Sequence, residues 1–155
     1  MAQFFDISTN KTGFSKLSYS ITALPVLGYL KLDGFSSDGI QWDNIEPASV
    51  RQGADGLGAI NQKPVLYSGT MSFLPNSNCR NVLDILCQQV TPRFGRRSQD
   101  YELILTEYNE TAKTKTIYRG GVITEAPAGD SANLDDGQSD KTYRVTFIDR
   151  DILPF

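Results

Sequence analysis

Alternation with a period of two dominates this chain. Leu17, Tyr19, Ile21 and Ala23 alternate with Ser18, Ser20 and Thr22. Side chains on a strand point to opposite faces in turn, so this pattern describes a half-buried β-strand. The same alternation returns at Val65, Tyr67, Gly69, Met71 and Phe73, at Tyr101, Leu103 and Leu105, and at Tyr143, Val145 and Phe147. Shorter runs at Val26–Leu32, Ile40–Trp42 and Thr116–Thr124 complete the expected sheets.

One segment departs from that period. Val82, Leu83, Ile85, Leu86 and Val90 follow helical spacing, with Ser77 or Asn78 placed to cap the first turn and Thr91-Pro92 to end the last. One helix among about seven strands implies a mainly β fold, a β-sandwich or partly open β-barrel with one flanking α-helix. The length of 155 residues suits a single domain spanning residues 1–155. Residues 44–63 and 125–140, rich in glycine, proline and acidic residues, read as long loops.

Much chemistry is missing. The chain has no histidine, which removes the commonest general base and the usual ligand of a catalytic zinc. Gly53-Ala54-Asp55-Gly56-Leu57-Gly58 lacks phosphate-loop spacing and reads as tight turns. Asp135-Asp136-Gly137-Gln138-Ser139-Asp140 lacks the closing glutamate of a calcium loop and reads as a solvated acidic segment. Cys79 and Cys87 lie eight residues apart on the helix, too far to bridge, and read as packed, reduced thiols. No catalytic, metal or cofactor-binding residue is expected, and the chain is read as a non-enzyme.

The net charge of -3 argues against phosphate binding. The start of the chain lacks the apolar run of a secretory signal, and no stretch is long and apolar enough to span a membrane, so synthesis in the cytoplasm without membrane insertion is expected. The charge is segregated. Arg93, Arg96 and Arg97 form the densest basic patch, and Asp130, Asp135, Asp136 and Asp140 the densest acidic one. They are candidates to meet between subunits; the competing reading is two solvated loops.

Asp33-Gly34-Phe35, Asp38-Gly39-Ile40, Gly53-Ala54-Asp55-Gly56, Tyr67-Ser68-Gly69-Thr70 and Leu74-Pro75-Asn76-Ser77-Asn78, followed by the helix, resemble the tail tube proteins of contractile-tailed phages. The resemblance implies a virion structural protein with six copies to a ring. The rings would stack into a hollow conduit for DNA ejection, with tail sheath, baseplate and tape-measure proteins as partners and only transient passage of DNA. It supplies no catalytic residues.

Such a fold leaves sheet edges open, and open edges pair with other chains unless guarded. The Ser/Thr faces of Leu17–Ala23 and Val65–Phe73 would line a lumen or face solvent. Ile152, Leu153 and Phe155 would dock on the chain's own core or on a neighbour. The alternatives are a baseplate, tail-terminator or secretion-tube component, or a carbohydrate-binding β-sandwich that stacks sugars on Trp42; in the latter's absence Trp42 is a core anchor.

Overall fold

The computed structural model describes residues 17–25, 27–92, 100–110, 112–135 and 137–154. The main sheet contains β1 (Leu17–Leu24), β2 (Leu27–Leu32), β3 (Phe35–Trp42), β6 (Tyr67–Phe73), β7 (Glu102–Asn109), β8 (Thr114–Glu125), β11 (Lys141–Phe147) and β12 (Asp149–Pro154). Two small ribbons lie outside it: β4 (Ala48–Gln52) with β5 (Gly58–Gln62), and β9 (Ala132–Asn133) with β10 (Gly137–Gln138). The helix α1 is Asn78–Val90.

The order β2-β1-β7-β8-β11-β6-β3 is antiparallel throughout, with β12 also on β8. The sheet curls into a nearly closed barrel. Trp42 of β3 stacks on Tyr118 of β8 with ring centroids 4.4 Å apart, and Phe35 of β3 meets Tyr19 of β1 at 6.0 Å. Only a sheet curled toward itself brings those strands face to face. Tyr19, Ile21, Phe73, Leu103, Leu105, Tyr143, Val145 and Phe147, the apolar phase of the alternation, fill the interior.

The opposite phase is less open than the sequence implies. Ser20 and Ser72 are buried. Between β6 and β11 the hydroxyls pair across the strands, Ser68 with Thr146 (3.1 Å) and Ser72 with Thr142 (3.2 Å). Cross-strand hydroxyl pairs stabilise a sheet while leaving no long side chain on that face.

The helix packs Cys79, Leu83, Leu86 and Val90 inward. Ile85, expected on that stripe, is exposed, and Cys79 takes a core position instead. Cys79 and Cys87 are both free. Thr91 ends the helix as expected, but Ser77 stands at the N-cap without capping. Its hydroxyl donates to the Asp33 carbonyl (3.0 Å), tying the helix start to the β2–β3 corner. Gly34 turns that corner at φ +69°, where a Cβ would lie 2.6 Å from Ser77 Oγ. Only glycine suits both the dihedral and the contact. Two of the motifs that carried the family resemblance, Asp33-Gly34-Phe35 and Leu74–Asn78, therefore meet in space, and Leu74 N–H donates to Gly34 O (2.8 Å).

Residues 44–63 were expected as a loop and form the β4–β5 hairpin. Val50 pairs with Ile60, and the turn is closed by Gly53 N–H to Leu57 O (2.8 Å) and Gly56 N–H to Gly53 O (3.0 Å). The tight turns read from the glycines are thus real, but they serve a ribbon. Residues 125–140 hold the short β9–β10 ribbon.

Candidate assembly surface

The β3–β6 ribbon does not stop at the barrel wall. It continues outward as β4–β5, and the junction is held by Asp43 N–H to Ser68 O (2.9 Å) and Lys63 N–H to Pro47 O (3.1 Å). Beyond that junction the hairpin is an arm, with every residue exposed except Ser49, which is half-buried. Val50, Leu57 and Ile60 are 74%, 71% and 69% exposed. Such a cluster on a projecting ribbon is unusual, because isolated hairpins gain little by folding and need a surface to pack on.

Beside the arm's root lies β12. The strands β11 and β12 run as one nearly continuous partner along β8, broken at Ile148. β11 is flanked by β6 on its other side, whereas among the described residues β12 pairs with β8 alone. Residues 63–66, which would extend β6 along β12, leave the sheet at Pro64, and proline has no N–H for a ladder. Among the described residues, one edge of β12 is therefore open.

Trp42 sits between arm and β12. Gly69 faces it across the strands, where a Cβ would fall 2.6 Å from Trp42 Cε3, so the indole occupies the space that a side chain on β6 would take. Tyr67 carries the Arg150 guanidinium over its ring at 4.7 Å. Arg144 pairs with Asp43. Trp42 is half-buried against Tyr118 and Phe147, as a core anchor. Its Nε1 is buried with no acceptor among the described residues.

A second charged group holds the 125–140 segment. Lys141 stands in the inward phase of β11 and is buried, a position for a charge only when paired. Its ammonium donates to Asp84 (2.7 Å) and lies 2.8 Å from Asp130, which also pairs with Arg80 (3.3 Å). Tyr143 donates to Asp84 and to Arg80 O. The hydrogen bonds that Lys141 donates to Asp130 and Asp84 raise its pKa against the opposing effect of desolvation. The hydrogen bond from Lys141 holds the Asp130 carboxyl below the usual carboxylate range.

Of the residues expected at a subunit contact, Arg93, Arg96, Arg97, Asp136 and Phe155 lie outside the described residues. Asp130 is engaged within the chain, by Lys141 and Arg80. Asp135 is exposed in the β9–β10 turn, its N–H donating to Asn133 Oδ1 (3.1 Å). Ile152 and Leu153 belong to β12: their backbone docks on the chain's own β8, while their side chains remain exposed. The arm was missed by sequence reasoning. Its signal was present in Ala48–Gln52 and Gly58–Gln62 around a Gly-Ala-Asp-Gly turn, but with one β-branched residue per strand.

The described residues thus form a curled antiparallel sheet with one helix, an open edge and a projecting apolar arm. The chain's fold is similar over its whole length to the cap that terminates the tube of the anti-feeding prophage, at a TM-score of 0.50 and 12% identity, covering 100% of this chain and 95% of that one. The sheath/tube terminator of the PVC extracellular contractile injection system, in its extended state, aligns at a TM-score of 0.49 and 7% identity, covering 87% of this chain and 92% of that one. No curated protein matches the sequence. The model of the family described as tail fiber protein gp32 matches residues 7–150, and the chain belongs to that family. The motifs implied a phage tail protein of the tail tube family; the match bears out the phage-tail relation and carries the tail fiber description instead.

Proposed function

We propose that the chain is a non-enzymatic, ring-forming subunit of the tube of a contractile phage tail, with stacked, hexameric rings enclosing a conduit for DNA. The observation that carries this reading is the presence, among the described residues, of an open sheet edge and an exposed apolar arm on one small subunit. A head-to-tail contact between such surfaces repeats by a fixed rotation, and closes into a ring when that rotation divides the circle. The absence of histidine supports a structural over a catalytic role. The net charge of -3, multiplied around a channel, disfavours arrest of DNA on the wall. Sheath, baseplate and tape-measure proteins are the partners this role requires, and the virion tail is its location.

A second reading is that the chain caps the tube. The full-length likeness to a tube-terminating cap favours it as far as fold is concerned. Electron microscopy of the full chain over a range of concentrations separates the readings. Stacked hollow tubes are expected for the tube subunit, single rings for the cap. A monomer under all conditions would overturn both.

A further inference from the structure

We infer that the β4–β5 arm of one copy lies along the open edge of β12 in a second copy, adding a strand to its sheet and covering Ile152 or Leu153 with Val50 and Ile60. This deepens the ring-forming reading above and rests on it.

The backbone of β12 indicates what its edge offers. Ile148 N–H donates to Arg119 O on β8 (3.2 Å), and Asp149 lies opposite the same residue. Arg150 N–H goes instead to the Asp149 carboxylate (2.9 Å). In an antiparallel strand the amides alternate sides, so the amides of 150 and 152 face away from β8. Pro154 falls in the same phase and has no amide, as suits an edge. The outward groups of Arg150 and Ile152 are therefore where an added strand would bond.

The arm matches that edge in three respects. Its strands have five residues each, against six in β12. With its root it carries Arg51 and Lys63 against Asp55, while β12 carries Asp149 and Asp151 against Arg150, so the two surfaces have opposite net charge. Its exposed Val50, Leu57 and Ile60 answer the exposed Ile152 and Leu153. Near the arm's root, a cavity of about 50 Å³ lined by Trp42, Asp43, Tyr67 and Arg150 adjoins β12. A strand arriving there could supply the acceptor that Trp42 Nε1 lacks among the described residues.

A second copy is the favoured occupant because both surfaces belong to one chain and complement each other in length, charge and apolarity. Among the described residues, the arm's strands pair only with each other.

The test uses full-length chains. Ile60→Cys and Ile152→Cys are made separately and mixed under mild oxidation. A disulfide-linked heterodimer is expected from the mixture and absent from either variant alone. Ile152→Pro removes one outward amide while leaving the β8 ladder, and should raise the concentration needed for assembly at least ~10-fold with unchanged melting. If that variant melts early, Ile152→Lys replaces it. Mixing an Ile60→Asp chain with an Ile152→Pro chain should give dimers that grow no further, the signature of a head-to-tail contact. Rings or tubes of the unmodified chain without the mixed cross-link would overturn this contact and leave the proposed function standing. A chain that stays monomeric and gives no cross-link would overturn both. A cross-link within one diluted chain carrying both cysteines would show the arm folding back on itself, and would also overturn the inference.

Discussion

The barrel wall and the arm are two lengths of one ribbon with opposite fates. Within the wall, β3 and β6 place Met71 and Phe73 in the core, with Phe73 at 0% exposure. Past Pro47 and Pro64, the ribbon continues without that alternation and leaves Val50 and Ile60 in the open. Both lengths are paired strands. What differs is the surface that the apolar side chains cover: the chain's own interior in one case, none among the described residues in the other. The wall should therefore govern stability and the arm association.

Truncating the wall gives the largest expected effect. Phe73→Ala empties a fully buried site and should cost about 3–5 kcal/mol, read as a fall in the denaturant midpoint. Next comes Gly69→Val at the root of the arm, where the added side chain must displace Trp42. A loss of about 1–3 kcal/mol is expected in the same measurement. Tyr143→Phe removes the hydroxyl that bonds Asp84 and the Arg80 carbonyl, and should cost about 1–2 kcal/mol.

The pH dependence of the 125–140 segment sharpens the comparison, because that segment is exposed like the arm yet tethered to the wall. Asp130 has a lowered pKa, so its contribution is present above about pH 3.9 and lost as pH falls through its folded value. Lys141 has a raised pKa, so its contribution is present below about pH 10.4 and lost as pH rises through its folded value. Amide exchange in residues 126–135 should accordingly be slowest between about pH 4 and pH 10, once corrected for intrinsic rates.

The smallest effect is expected in the arm. Val50→Ser together with Ile60→Ser should change the stability of the monomer by no more than ~0.5 kcal/mol each, while weakening assembly. A loss comparable to that of Phe73→Ala would erase the distinction between wall and arm.

The wall was legible because its strands bury one face and expose or half-cover the other, which stamps the period of two on Leu17–Ala23 and Tyr143–Phe147. The helix was legible from its spacing, and Cys79 packs as read, except that Ile85 of the expected stripe is exposed. The arm and β12 were not. Neither buries a face within the chain, so neither is constrained to alternate: β12 reads Asp-Arg-Asp-Ile-Leu-Pro, and the arm offers one β-branched residue per strand. Lys141 was equally hidden, since its partners Asp84 and Asp130 come from distant stretches of sequence. Sequence patterns record what a chain does to itself; surfaces kept for other chains leave weaker traces.

The placement of the chain's one tryptophan has a practical consequence. Trp42 lies against Tyr118 where the arm leaves the wall, so the tryptophan fluorescence, excited beyond the absorption of tyrosine, originates from that single spot. Its emission wavelength and quenching would follow what happens at the arm's root without any attached dye, and a stopped-flow trace could time subunit joining apart from folding.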